Sequence, residues 1–196
     1  MDSVWIVLIV VSIVIFQKLF ASFGKQAPTE KFRGVVPGTG QVFEMTLSRI
    51  KEEGKKDSNT FNDDDFCIAA KIGFNSVVEA FSKGDKAMLK RLLSKKLYDV
   101  FCAEIDKREQ QNQKMDFSLI GFDSTKILLK NDTKKPTLIK VEFITEQMNV
   151  LRDKDDVVIE GDAVQLSKVR DVWTFKKENG INSKWTICAT KSEGVA

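Results

Sequence analysis

The sequence predicts an α+β fold behind an N-terminal transmembrane helix, with three helices packed on a curved, mainly antiparallel sheet. Three observations carry this reading. Residues 4–23 form an almost unbroken apolar run. From Phe61 to about Lys114, apolar side chains recur at helical spacing. After Met115 the period drops to two. Helices that precede strands, rather than alternating with them, indicate α+β. The length of 196 residues suits one domain with an appendage. An apolar fraction of 42% beside 30% charged residues suits a globular core.

The first element is the apolar run. Val4 to Phe16 reads VWIVLIVVSIVIF, with Ser12 its one polar side chain. Val4 to Phe23 is 20 residues, which at ~1.5 Å rise spans ~30 Å, a hydrocarbon core. A cleaved signal peptide needs a basic leader and a small-residue cleavage site. Here Asp2 alone precedes the run as a charge, and no such site follows. Residues 1–23 are therefore expected to be an uncleaved anchor. Lys18, Lys25, Lys31 and Arg33 follow the core of the run. By the positive-inside rule the N-terminus lies outside and the remaining chain is cytoplasmic. The same four residues are the candidates for contact with anionic lipid, each worth ~1 kcal/mol near the surface. The plainer alternative is a solvated linker.

Residues 24–60 read as that linker. They hold Gly24, Gly34, Gly38, Gly40 and Gly54 with Pro28 and Pro37. Gly38-Thr39-Gly40 has neither the third glycine nor the Gly-Lys-Ser/Thr of a phosphate loop. The folded domain is expected over 61–192, with a tail at 193–196. Asn62 and the acids Asp63 to Asp65 cap a first helix, in which Phe66, Ala70, Gly73, Phe74, Val77 and Phe81 share a face. Gly84 ends it and Asp85 caps a short second helix. Ser94 starts a third, with Leu97, Phe101 and Ile105 inward and a polar tail from Asp106 to Lys114 in water. Five or six strands follow. Their apolar faces hold Phe117 and Leu119, Ile127 and Leu129, Ile139, Val141 and Phe143, Val157 to Ile159, Val172 to Phe175, and Trp185 to Ala189. Asn179-Gly180 lies in the last turn. A sheet wrapped round the first helix would leave an apolar cone between them.

Composition narrows the chemistry. The chain has no histidine, which removes imidazole acid/base relays and histidine-ligated metals. Cys67, Cys102 and Cys188 are widely spaced and odd in number. They read as small buried thiols, not as a zinc site or a disulfide framework. Residues 58–196 carry 23 basic and 22 acidic side chains, a net of +1, so no nucleic acid partner is expected.

Two stretches resemble a known family. Residues 66–101, FCIAAKIGFNSVVEAFSKGDKAMLKRLLSKKLYDVF, are similar to the opening helices of the Tim-forty-four-like domain. Asp171-Val172-Trp173-Thr174-Phe175 and then Trp185-Thr186-Ile187-Cys188-Ala189-Thr190 resemble the two tryptophan strands that end that domain. Glu160-Gly161-Asp162 resembles its acidic turn. The resemblance covers about residues 61–192. It implies a cone of the nuclear-transport-factor-two-like type. It also implies a membrane-side scaffold, as in the mitochondrial import-motor scaffold and its membrane-anchored bacterial homologues. No counterpart of the mitochondrial member's long chaperone-binding region is expected, so direct chaperone docking is not part of this expectation.

From these readings the expected protein is an adaptor of a bacterial inner membrane. It would bind membrane lipid or a protein partner through an apolar pocket, in a setting linked to protein translocation or membrane-protein assembly. No catalytic residue, cofactor or metal is expected. Phe74, Phe81, Phe101, Phe143, Trp173, Phe175 and Trp185 are the pocket candidates, with plain core packing as the alternative for each. An enzyme on the same cone, or a ribosome-contacting membrane protein, are the rival functions. Asp171, on the strand face of Trp173, is the one acid that an enzyme would use.

Overall fold

The computed structural model describes residues 62–131, 136–178 and 184–194. The expected anchor, the linker, Asn179-Gly180 and the four candidate lipid contacts Lys18, Lys25, Lys31 and Arg33 lie outside the described residues. Among the described residues no helix is long and apolar enough to cross a membrane. Three helices, α1 (Asp63–Lys83), α2 (Lys86–Leu92) and α3 (Lys95–Gln110), precede five strands. The strands are β1 (Lys114–Asn131), β2 (Thr137–Arg152), β3 (Val158–Gly161), β4 (Ser167–Lys177) and β5 (Trp185–Gly194). All strand pairings are antiparallel. The architecture is α+β, three helices against one antiparallel sheet.

Local chemistry sets the helix ends. The Asn62 side chain accepts from the Asp64 N–H at 3.0 Å, and the acids Asp63, Asp64 and Asp65 occupy the positive end of α1. Gly84, at φ +72°, closes the helix in the left-handed conformation. Asp85 caps α2 by accepting from the Met88 N–H. Ser94 starts α3 without a side-chain cap bond. Its N–H donates instead to the Ile187 carbonyl at 2.8 Å, which ties the α2–α3 junction to β5.

The sheet order is β1-β2-β4-β5. β2 is long enough to use its second edge twice. Thr137 to Gln147 pairs with β4, and Val150 to Arg152 pairs with β3. The runs expected around Phe117 and around Ile127 are one strand of 18 residues. Its register against β2 shifts three times, leaving Ile120, Asp123 and Leu128 as extra residues. Each such bulge bends its strand and increases its twist. Leu129 was expected inward, but after the last shift it is about half exposed. A second correction concerns α3: Arg108, in the tail expected to lie in water, is buried. The three cysteines are half-buried and form no disulfide.

The core lies between α1 and the inner sheet face. Ala69, Ala70 and Gly73 bring the helix backbone close to the strands, and Phe66 and Phe74 fill the gaps on either side. Phe66 meets Phe175 and Trp185, with ring centroids 5.4 and 5.0 Å away. Phe74 meets Phe122, Phe143 and Trp173 at 5.6, 5.0 and 4.6 Å. Such ring pairs add ~0.5–1.5 kcal/mol each beyond the area they bury.

Candidate functional site

A cavity of 280 Å³ lies between α1, α3 and the sheet. This is just below the usual range for small-molecule sites. Its helix wall carries Phe74, Val78 and Phe81 from α1 and Phe101 from α3. Met115 and Phe117 of β1, Leu151 of β2 and Ile159 of β3 extend the apolar lining. Phe81 and Phe101 hold each other edge to face at 5.0 Å. The rest of the lining is polar: Glu104 and Lys107 of α3, Gln111 just past its end, and Gln147, Asn149 and Glu160 of the sheet; Lys107 and Gln111 are exposed and the others half-buried.

The structure thus brings four of the sequence-predicted pocket residues, Phe74, Phe81, Phe101 and Trp173, onto one cavity. Phe143, Phe175 and Trp185 pack in the core instead and do not line it. Phe66 packs against Phe175 and Trp185, and Phe74 against Phe143.

The buried end of the cavity is polar, and strand register makes it so. Asp171 and Trp173 of β4 stand opposite Ser192 and Thr190 of β5. All four line the cavity. Simple alternation from Trp185 and Ile187 would turn Ala189 and Lys191 inward. The register shift opposite Thr174 and Phe175 leaves Cys188 as an extra residue and reverses the parity. Thr190 and Ser192 consequently face in, and Ala189 and Lys191 are exposed.

Asp171 is 4% exposed. Ser192 Oγ donates to its Oδ1. Burial pushes its carboxyl up from 3.8 to about 6, against the opposing pull of Ser192 and Trp173. The Trp173 indole N–H stands near this carboxyl but outside hydrogen-bond geometry, and Nε1 has no partner. Thr190 Oγ1 has none either. Buried polar atoms are paired in the great majority of cases, so two without a partner on a facing strand pair beside a buried carboxyl are unusual.

Arg108 forms part of the helix-side wall. Its guanidinium lies 4.5 Å from the Phe81 ring centroid, and Nη2 donates to the Phe81 carbonyl at 2.6 Å. Burial lowers its pKa, and Glu104 and Glu109 partly offset this. Sequence reasoning missed Arg108, Thr190 and Ser192. A charge inside a polar run and a bulge inside an alternating strand leave no signal in the residue pattern. Among the described residues no group of three or more cysteines and carboxylates could hold a metal ion.

A family model described as the Tim44-like domain matches residues 47–192. The match begins inside the stretch expected to be linker and ends at 192, where the expected domain ends. No curated protein matches the chain. Among solved structures, the intermembrane space region of the chloroplast protein ARC6 is similar at 14% identity and a TM-score of 0.44. That alignment covers 78% of this chain and 97% of the other.

Proposed function

The chain belongs to the Tim44-like domain family, and on that premise we propose that it is a membrane-anchored adaptor that binds lipid or a protein partner through the cavity between α1, α3 and the sheet. The carrying observation is the cavity itself, apolar on its helix and sheet walls, with polar side chains along the rest of its lining, of which Lys107 and Gln111 are exposed. Residues 1–23 would anchor the chain in an inner membrane, with the N-terminus outside and the domain in the cytoplasm. Lys18, Lys25, Lys31 and Arg33 would meet anionic headgroups. Anchoring raises the effective concentration of the domain at the bilayer, so weak cavity contacts suffice. A link to protein translocation or membrane-protein assembly follows from family membership by analogy alone.

A photo-crosslinking side chain at Gln111, on the exposed part of the lining, tests this in intact membranes. Lipid or protein adducts well above those from the same probe at Lys140, an exposed position on β2 away from the cavity, are the expected result. Equal labelling at both positions would sink the adaptor reading. A second reading, an enzyme acting on a hydrophobic small molecule, is favoured by one observation: the buried Asp171 with its raised pKa. Turnover of a carbonyl compound by the purified chain, lost in Asp171→Asn, would support it.

A further inference from the structure

Resting on the cavity as a binding site, we propose that its ligand is an uncharged amphiphile that enters with a hydroxyl end group first and donates a hydrogen bond to Asp171. The end group is recognised at the floor formed by Asp171, Trp173, Thr190 and Ser192.

The chemistry of that floor selects the ligand. Ser192 occupies one oxygen of the Asp171 carboxyl, Oδ1. Oδ2 meets no donor of proper geometry among the described residues. It remains the acceptor available to a ligand. Nearby stand an indole N–H and a threonine hydroxyl, each without a partner. A hydroxyl is a small neutral group that donates to that carboxyl oxygen. A purely apolar ligand leaves it unmet, the costly outcome for a buried polar atom.

Charge is selected as well. A carboxylate or phosphate head at the floor would face Asp171, a like charge in a poorly solvated site. A cation would meet a lining of mixed charge, Arg108 and Lys107 against Glu104 and Glu160, and would lose its hydration in an apolar cavity. Neither sign is favoured, so a neutral donor is left. The apolar body of the ligand then lies along Phe74, Phe81 and Phe101.

Two isomeric probes separate this inference from the reading it rests on. Octanol has a hydroxyl donor, and methyl heptyl ether has the same atoms without one. Each is titrated, at measured free aqueous concentration, into the full chain in lipid nanodiscs while tryptophan fluorescence is followed. Octanol is expected to bind about tenfold more tightly, as a hydrogen bond to a charged acceptor warrants. Asp171→Leu should abolish the preference. Asp171→Asn, which keeps an oxygen acceptor and the shape, should keep a reduced one and serves if the leucine variant does not fold. Equal binding of the two probes to the wild-type chain overturns the hydroxyl inference and leaves the cavity reading standing. So does tighter binding of octanoate or octylammonium than of octanol, or a preference that survives in Asp171→Leu. No saturable binding of any probe overturns both.

Discussion

Replacing Asp171 by asparagine should stabilise this protein at neutral pH. The carboxyl is 4% exposed, and burial raises its pKa from 3.8 to about 6. An acid whose pKa is higher in the folded state binds its proton more tightly there. Below pH 3.8 it is protonated in both states and costs nothing. As pH rises the unfolded chain ionises first, and the folded state progressively loses stability until pH passes 6. At ~1.4 kcal/mol per pKa unit, the full loss above pH 6 is roughly 3 kcal/mol. Asparagine is nearly isosteric, has no charge to desolvate and keeps an oxygen to accept from Ser192. Some of the gain returns through the weaker neutral bond, so an increase of about 1–3 kcal/mol at pH 7.5 is expected. Urea unfolding of the full chain in detergent, read by tryptophan fluorescence at pH 4 and at pH 7.5, measures it. Other charged groups near the cavity, Glu104, Lys107, Arg108 and Glu160, are common to both proteins and largely cancel in the difference. The variant's advantage should grow from near zero at pH 4. A difference that is flat with pH, or a destabilised variant at pH 7.5, would refute the burial argument. A residue that lowers stability at working pH is better explained by its service to a ligand than by the fold.

Phe74→Ala removes a ring that three other aromatics contact and that separates the core from the cavity. It should cost about 3–5 kcal/mol in the same unfolding assay, and a loss below about 1 kcal/mol would mean that the walls collapse to fill the space. Gly161→Ala meets two obstacles at once: φ is +83°, and an added Cβ would lie 2.0 Å from the Asn149 carbonyl oxygen. The backbone strain alone is about 1–3 kcal/mol. The variant should release β3 from β2, seen as faster amide exchange at Val150 to Arg152 and Val158 to Gly161. Unchanged exchange there would show that Gly161 is not needed to hold Ile159 and Glu160 on the cavity lining.

Much of the fold is legible in the chain because it is encoded locally. Asn62 with three acids behind it, Gly84, and Asp85 mark helix ends by satisfying backbone groups within a few residues. Ile139, Val141 and Phe143 announce a strand with one buried face because side chains alternate with a period of two. The tryptophan strands that resemble the family are the strands that pair as β4 and β5. The cavity was half legible. An aromatic residue on an inward face declares that it is buried, which is true of both Phe74 and Phe143. It does not declare whether a neighbouring ring or open space lies beyond it.

What the sequence by itself determined is the class of fold, the order of its elements and the faces that avoid water, since capping, propensity and periodicity act over one to four residues. What only the tertiary structure decided is where the sheet bends and which polar groups it encloses. One extra residue at Cys188 turns Thr190 and Ser192 to the inside opposite Trp173 and Asp171. That residue is accommodated because pairing across the strands, not alternation along one of them, sets the register.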